Sequence, residues 1–213
     1  MLKSAIDHLV ITASSRALGS DYVAEVLGVV PQPGGEHPRM GTHNALVRLG
    51  EATYLEVIAV NLAAAAPARA RWFGLDDMLP SAPPRLVTWV VRTSDIQKAS
   101  TLAPFSLGKI ETMTREALAW RITIPEDGRM PLEGAAPSLI QWSGETHPAR
   151  ALPDVGCTLE ELQIEHPRPK LLESLLREIG FNGPVVVSRA ESGRTRLAAR
   201  IRTPGGLVAL GNL

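Results

Sequence analysis

Ala5-Ile6-Asp7-His8-Leu9-Val10-Ile11 and, further along, Tyr54-Leu55-Glu56-Val57-Ile58-Ala59 are the two runs that decide how this chain is read. Both are rich in aliphatic and β-branched residues, the composition of strands. Each also carries a charge-capable side chain where a strand would bury it, His8 in the first and Glu56 in the second. Burying such a group costs several kcal/mol unless it is paired, hydrogen-bonded or metal-bound. Two of them bracketing one strand–helix–strands unit point to an inward-facing polar site.

Between the two runs, Ser14-Ser15 can cap a helix that carries Leu18, Tyr22 and Val26 at four-residue spacing and stops at Gly28. A Pro/Gly-rich loop is expected over Pro31 to Pro38, then a hairpin of Asn44 to Leu49 and Thr53 to Val60 turning at Gly50-Glu51. The same order recurs. Leu86 to Val91 reads as a strand, Ser94 or Asp95 as a cap for a helix with Ile96, Ala99 and Leu102, and Ala117 to Ile124 and Ser138 to Trp142 as strands. A third unit opens at Leu159 to Ile164. It continues with an amphipathic helix bearing Leu171, Leu172, Leu175, Leu176 and Ile179, and closes with strands at Val185 to Ser188, Arg196 to Arg202 and Leu207 to Leu210. Each unit reads β-α-β-β-β or a degenerate form of it. Open sheets need partners, so the units are expected to pair face to face. Trp72-Phe73-Gly74-Leu75, between the first two units, is expected to form a short helix or lid on the core. Ser143 to Gly156 reads as a linker.

The 213 residues are 45% hydrophobic, enough for one large or two small cores. Lysine plus arginine and aspartate plus glutamate balance at 22 each, which leaves no basic field for nucleic acid or an anionic membrane surface. Cys157 is the only cysteine, so neither an intrachain disulfide nor a Cys-rich zinc site is available. Met1-Leu2-Lys3 runs straight into the first strand without a signal-like region, and the longest apolar tract, Leu62 to Ala66, cannot span a bilayer. A cytoplasmic protein is expected.

Tandem βαβββ units with a histidine in the first strand and a glutamate in the fourth resemble the vicinal oxygen chelate superfamily. Ile6-Asp7-His8-Leu9-Val10, Gly34-Gly35-Glu36-His37, Gly41-Thr42-His43-Asn44 and Tyr54-Leu55-Glu56 resemble its glyoxalase-like domain family. The resemblance implies an α+β fold. Its tandem modules form curved, mostly antiparallel half-barrel sheets around a ligand cavity, with helices outside. Residues 1–143 would be the glyoxalase-like domain, from modules 1–62 and 86–143, and residues 157–213 a third βαβββ-like module packed on or paired with it. In metal-dependent members, four inward residues from the first and last strands of two modules hold a divalent ion. His8 and Glu56 match the first two of these positions. For the second pair, Thr88 or Trp89 and Gln141 are available in the second unit, and Glu160 or Glu161 in the third, where Val208 or Ala209 replaces the expected glutamate.

Two chemistries therefore stay open. A divalent zinc, manganese, iron or nickel ion at His8 and Glu56, with His37, His43 or Glu161 as a further ligand, would polarise a carbonyl, and Glu56 would act as the base. Alternatively, His8 and Glu56 bond each other or the backbone in a metal-free polar pocket. His37, Asn44, Arg115 and Trp120 are candidates for substrate binding, Arg115 (with Arg39 and Arg121) through paired hydrogen bonds to a carboxylate or phosphate. Asn44 and His43 alternate across the sheet, so only one of them can face the cavity. Trp89, Trp120 and Trp142 can form an apolar wall. His147 and His166, each before a proline, read as structural or exposed. The function expected is that of a lyase, isomerase or dioxygenase on a small molecule, or, as the alternative, metal-free sequestration of one. A homodimer is expected, because three modules cannot all pair two by two.

Overall fold

The computed structural model describes residues 2–115, 117–144 and 147–211. The first unit is β1 (Ser4–Thr12), α1 (Arg16–Leu27), β2 (Gln32–His37), β3 (Thr42–Arg48) and β4 (Tyr54–Val60). The second is β5 (Arg85–Thr93), α2 (Ile96–Leu102), β6 (Lys109–Arg115), β7 (Leu118–Ile124) and β8 (Ser138–Trp142). A single helical turn, α3 (Pro148–Ala151), leads to the third: β9 (Thr158–His166), α4 (Pro169–Glu178), β10 (Val185–Arg189), β11 (Arg196–Thr203) and β12 (Gly206–Gly211). No described helix is long and apolar enough to cross a membrane.

The first two units join edge to edge instead of face to face. β1 pairs antiparallel with β5, which makes one eight-stranded sheet in the order β2-β3-β4-β1-β5-β8-β7-β6. Only β1 with β4 and β5 with β8 run parallel, so the sheet is mostly antiparallel, as expected. It curls into a half-barrel until its two edge strands meet. Arg39, just past β2, donates to the Thr112 carbonyl of β6 at 2.7 Å and pairs with Glu111, while Arg115 on β6 reaches His37 on β2 at 3.2 Å. The third unit repeats the element order but not the strand order. Its sheet runs β10-β9-β11-β12, with β9 central.

Two apolar layers follow from this curvature. On the convex side, Leu9, Ile11, Leu55, Val57, Trp89 and Val91 pack with Val23 and Leu27 of α1 and with Leu162, Ile164, Leu197 and Ile201 of the third sheet. Here the face-to-face expectation holds, for the third unit alone. On the concave side, Val10, Ile58, Val90, Trp120, Ile122 and Ile140 pack beneath Trp72, Phe73 and Leu75 of a 3-10 turn, the lid read from the sequence.

Three readings need correction. Pro31 to Pro38 is not all loop: β2 lies within it, as an edge strand where Pro33 costs no interior ladder bond and Gly34-Gly35 form an irregularity. β6 went unread because its alternation of polar residues, Lys109-Ile110-Glu111-Thr112-Met113-Thr114-Arg115, lacks an apolar face. In α1, the buried side is Gly19, Val23 and Leu27, one position on from the predicted stripe, and Leu18 is 54% exposed. Ser15 and Gly28 do cap the helix, the latter in the left-handed conformation.

The shift of face has a packing cause. A Cβ on Gly19 would lie 2.4 Å from Val57 Cγ1 and 2.8 Å from Ala13 Cβ, so α1 sits on β4 at a distance only glycine allows. Gly19→Val is expected to lower the unfolding free energy by about 2 kcal/mol, whereas exposed Leu18→Ala should stay within about 0.5 kcal/mol, both read from urea denaturation.

Candidate functional site

The curled sheet encloses a small cavity, about 30 Å³ of free interior, lined by His8, His37, Asn44, Tyr54, Glu56 and Arg115 with Trp72, Phe73, Trp120, Ile122, Ile140 and Trp142. That volume suits one or two waters. The structure thus brings His8, Glu56, His37, Asn44, Arg115 and Trp120 together, while His43, Glu161, Arg39, Arg121 and Trp89, also named from the sequence, do not line this cavity.

The anchor is a residue the sequence reading passed over. Strict strand alternation sends Asp7 to the face opposite His8. The ladder between β1 and β5 shifts register between Ile6 and His8, and this bulge brings both side chains together. Asp7 is fully buried, and His8 Nδ1–H donates to its Oδ1 at 2.7 Å. Trp142 Nε1–H and His147 Nε2–H donate to its Oδ2 at 2.9 and 3.0 Å. The tautomer of His147 is set by Ala149 N–H, which donates to its Nδ1 at 3.2 Å. Burial works to raise the Asp7 carboxyl, but hydrogen bonds from His147 and His8, and their charges, outweigh it and hold Asp7 well below the usual carboxylate range. His147, read as structural or exposed in a linker, is buried and binds the site's central carboxylate.

With Nδ1 committed to Asp7, His8 turns Nε2 toward Glu56 Oε2, 3.6 Å away. Tyr54 stacks on the imidazole, centroids 4.5 Å apart at 18°. Burial raises the Tyr54 phenol well above its ordinary value, and the charges of Asp7 and Glu56 add to this, so the ring stays neutral. Asn44 Nδ2–H donates to Glu56 Oε1 at 2.6 Å and its Oδ1 accepts from Gly35 N–H at 2.8 Å. Of the adjacent pair, Asn44 therefore faces the cavity and His43 does not. Gly34 and Gly35 make room for protein side chains. A Cβ on Gly34 would lie 2.0 Å from Asn44 Oδ1, and one on Gly35 2.5 Å from Arg115 Cδ.

Across the cavity, Arg115 Nη1–H donates to His37 Nε2 at 3.2 Å, which leaves the His37 proton on Nδ1, donated to Thr42 Oγ1 at 3.1 Å. Burial, then the Arg115 charge, pushes His37 down to about 3, so it is neutral in the native protein near pH 7. The lid is held from behind: Gly74 N–H donates to Gly128 O at 2.9 Å, and Phe73 takes a left-handed φ of 58° that stacks it on Trp72. A side chain pays about 1–2 kcal/mol for that conformation, offset here by burial of both rings.

The resemblance implies a metal held by four inward residues, and the lining tests it. His8 Nε2 and Glu56 make one pair of donors, and Asp7 stands behind His8 as a carboxylate stands behind a metal-bound histidine. The second half-barrel supplies Trp120, Ile122, Ile140 and Trp142 where another pair would be needed. Thr88 and Trp89 bond the Gly134 and Ala135 carbonyls, Gln141 bonds Arg121 and Ile96 N–H, and Glu160 and Glu161 belong to the third sheet. What remains is the Arg115 cation and the histidine bonded to it. Among the described residues no three His, Cys, Asp or Glu side chains are grouped to hold a metal ion. This donor set does not fit a four-ligand centre.

Residues 6–180 match the model of the glyoxalase-like domain family. No curated protein matches the sequence significantly. Among solved structures, a hypothetical protein from Staphylococcus aureus is similar with a TM-score of 0.62 at 14% identity, over 90% of this chain and 87% of that one. A methylmalonyl-CoA epimerase from Mycobacterium tuberculosis is similar at 13% identity over 66% of this chain and 88% of that one, TM-score 0.41. One from Streptomyces coelicolor, in complex with 2-nitronate-propionyl-CoA, is similar at 15% identity over 65% and 97%, TM-score 0.43. The Staphylococcus aureus likeness, at this identity, is one of fold.

Neutral, buried His37 makes the fold acid-sensitive in a defined window. The unfolded chain binds a proton there below its ordinary value of 6.5, and the native state does so only near 3. This contribution is complete above pH 6.5 and is lost as pH falls from there toward 3. Between pH 7 and 5 the wild type should lose about 2 kcal/mol more unfolding free energy than His37→Gln, measured by urea denaturation at both pH values.

Proposed function

The chain belongs to the glyoxalase-like domain family of the vicinal oxygen chelate superfamily, and within it we propose that this protein is an acid–base enzyme of the isomerase or lyase type. It moves a proton on a small molecule at a carbon next to a carbonyl. The observation that carries this reading is the Asp7–His8–Glu56 alignment. His8 Nδ1–H is committed to an ionised, buried carboxylate, so the Nε2 edge faces Glu56 across 3.6 Å. A proton can pass between that nitrogen and the carboxylate oxygen. The gap is too long for a strong direct hydrogen bond, which leaves that proton accessible to a third group.

In this reading Glu56 Oε2 is the base that takes the substrate proton, with Oε1 tethered by Asn44. His8 Nε2 is the acid that returns one, and Asp7 stabilises its imidazolium. Trp120 and Trp142 form the apolar wall that keeps water from the exchanging proton. Such a positioned acid–base pair is worth about 10²–10⁴ in rate. Of the three reaction types implied by the resemblance, proton transfer is the one these side chains supply by themselves.

The test is deuterium exchange at the α-carbon of a panel of small carbonyl compounds in D₂O, followed by proton NMR, with metal content measured on the same untagged preparation. Exchange is expected with metal well below stoichiometric, and Glu56→Gln and His8→Gln should each slow it by about 10²-fold or more. Stoichiometric zinc, manganese, iron or nickel that disappears in both variants would replace this reading with a metal-dependent one. Saturable binding with no exchange would assign sequestration.

A further inference from the structure

The lid carries a polar group that the acid–base machinery leaves unused. Trp72 lines the cavity and is 4% exposed, yet its indole Nε1–H is buried without a hydrogen-bond partner among the described residues. Buried donors are rarely left orphaned, because each forfeits its hydration for nothing in return. Two other indoles differ: Trp89 Nε1–H donates to Ala135 O and Trp142 Nε1–H to Asp7. Trp72 also sits beside His37, their rings edge to face with centroids 5.1 Å apart, and Arg115 bonds the far nitrogen of that same ring. Arg115 makes one hydrogen bond among the described residues, the one to His37, from a guanidinium with five N–H groups.

We propose that Trp72 Nε1–H and Arg115 together form a carboxylate-binding subsite on the lid side of the cavity, so that the substrate is a small carboxylic acid. This rests on the acid–base reading for the identity of the ligand as substrate, but the binding claim stands separately. Two physical points favour a carboxylate ligand. The guanidinium matches its planar, two-oxygen edge. A neutral His37 behind Arg115 leaves the cation's charge for the ligand. The aromatic lid also supplies the low-dielectric wall in which a charge-assisted hydrogen bond gains strength.

The subsite predicts an observable that needs no turnover. In ¹H–¹⁵N spectra of the labelled full-length chain, the Trp72 indole signal is identified by its loss in Trp72→Phe. Titration with acetate or oxalate should move that signal downfield and saturate, with phosphate as the tetrahedral comparison leaving it in place. Arg115→Gln should weaken the response at least tenfold while the remaining indole signals confirm an intact fold, and Trp72→Phe should weaken oxalate binding by calorimetry about tenfold. Failure of the Trp72 signal to move with any carboxylate overturns the subsite, as does an undiminished response in Arg115→Gln or an equal response to phosphate. An upfield-shifted indole proton that ignores all anions would place the N–H on the His37 ring face and also overturn it. If α-carbon exchange is absent while the Trp72 response is present, the subsite stands and the acid–base reading falls. If exchange is present without that response, the reverse holds.

Discussion

The polar groups on the His8 side of the cavity are organised around one buried carboxylate. Asp7 has no contact with water, and an isolated ionised group there would be prohibitively unstable. It is tolerated because three N–H donors, from His8, Trp142 and His147, converge on its two oxygens. The same bonds do structural work at long range. They tie β1 of the first unit to β8 of the second and to the turn that follows it, and so close one side of the cavity. They also fix which nitrogen of His8 faces inward. Loss of the carboxylate would remove a tautomer, a wall and a docking point together.

The second constraint is the curl of the sheet. An edge-to-edge junction of β1 with β5 places two like four-stranded halves side by side in one sheet, and right-handed twist bends them toward each other. The edges then meet through side chains, Arg39 with Glu111 and Arg115 with His37, without a ladder of backbone bonds. That arrangement leaves a narrow, mostly apolar interior with a polar end. Glycine makes the fit possible at two places. Gly34 and Gly35 let Asn44 and Arg115 lie flat against β2, and Gly19 lets α1 press on β4 from outside. Two polar side chains of the site, Asn44 and Arg115, thus pack against residues with no side chain of their own.

The acidic and basic groups are divided by environment. On the His8 side, two carboxylates surround one imidazole; on the Arg115 side, a cation faces a histidine that burial keeps neutral. In the proposed reaction, the substrate would be polarised in the same sense, with its oxyanion toward Arg115 and its acidic C–H toward Glu56. The two halves of the concave wall differ in the same sense, polar from β1 to β4 and aromatic or aliphatic from β7 to β8. The His8 and Glu56 pair of the first unit has no counterpart in the second, whose inward positions are occupied by Trp120, Ile122, Ile140 and Trp142.

Local pattern was enough for much of this. Aliphatic runs marked β1, β4, β5 and β8, capping residues marked α1 and α2, and the misplaced charges of His8 and Glu56 marked the site, because burying them demands a reason that side-chain chemistry alone makes plain. Alternation left only one of His43 and Asn44 able to face the cavity, and the structure shows that it is Asn44. β2 and β6 were not legible, since an edge strand is held by one neighbour and needs no apolar face. Asp7 was lost to a bulge, a shift of register that arises only when β1 is laid against β5. His147 was lost because its partner lies 140 residues away, and Trp72 because an unpaired indole N–H is a property of surroundings, not of sequence. The sequence by itself determined the modules and two of the residues at their centre. Which modules share a sheet, which buried groups meet, and which donor is left over were decided only by the tertiary structure, because those outcomes depend on contacts between segments that carry no local signal of each other.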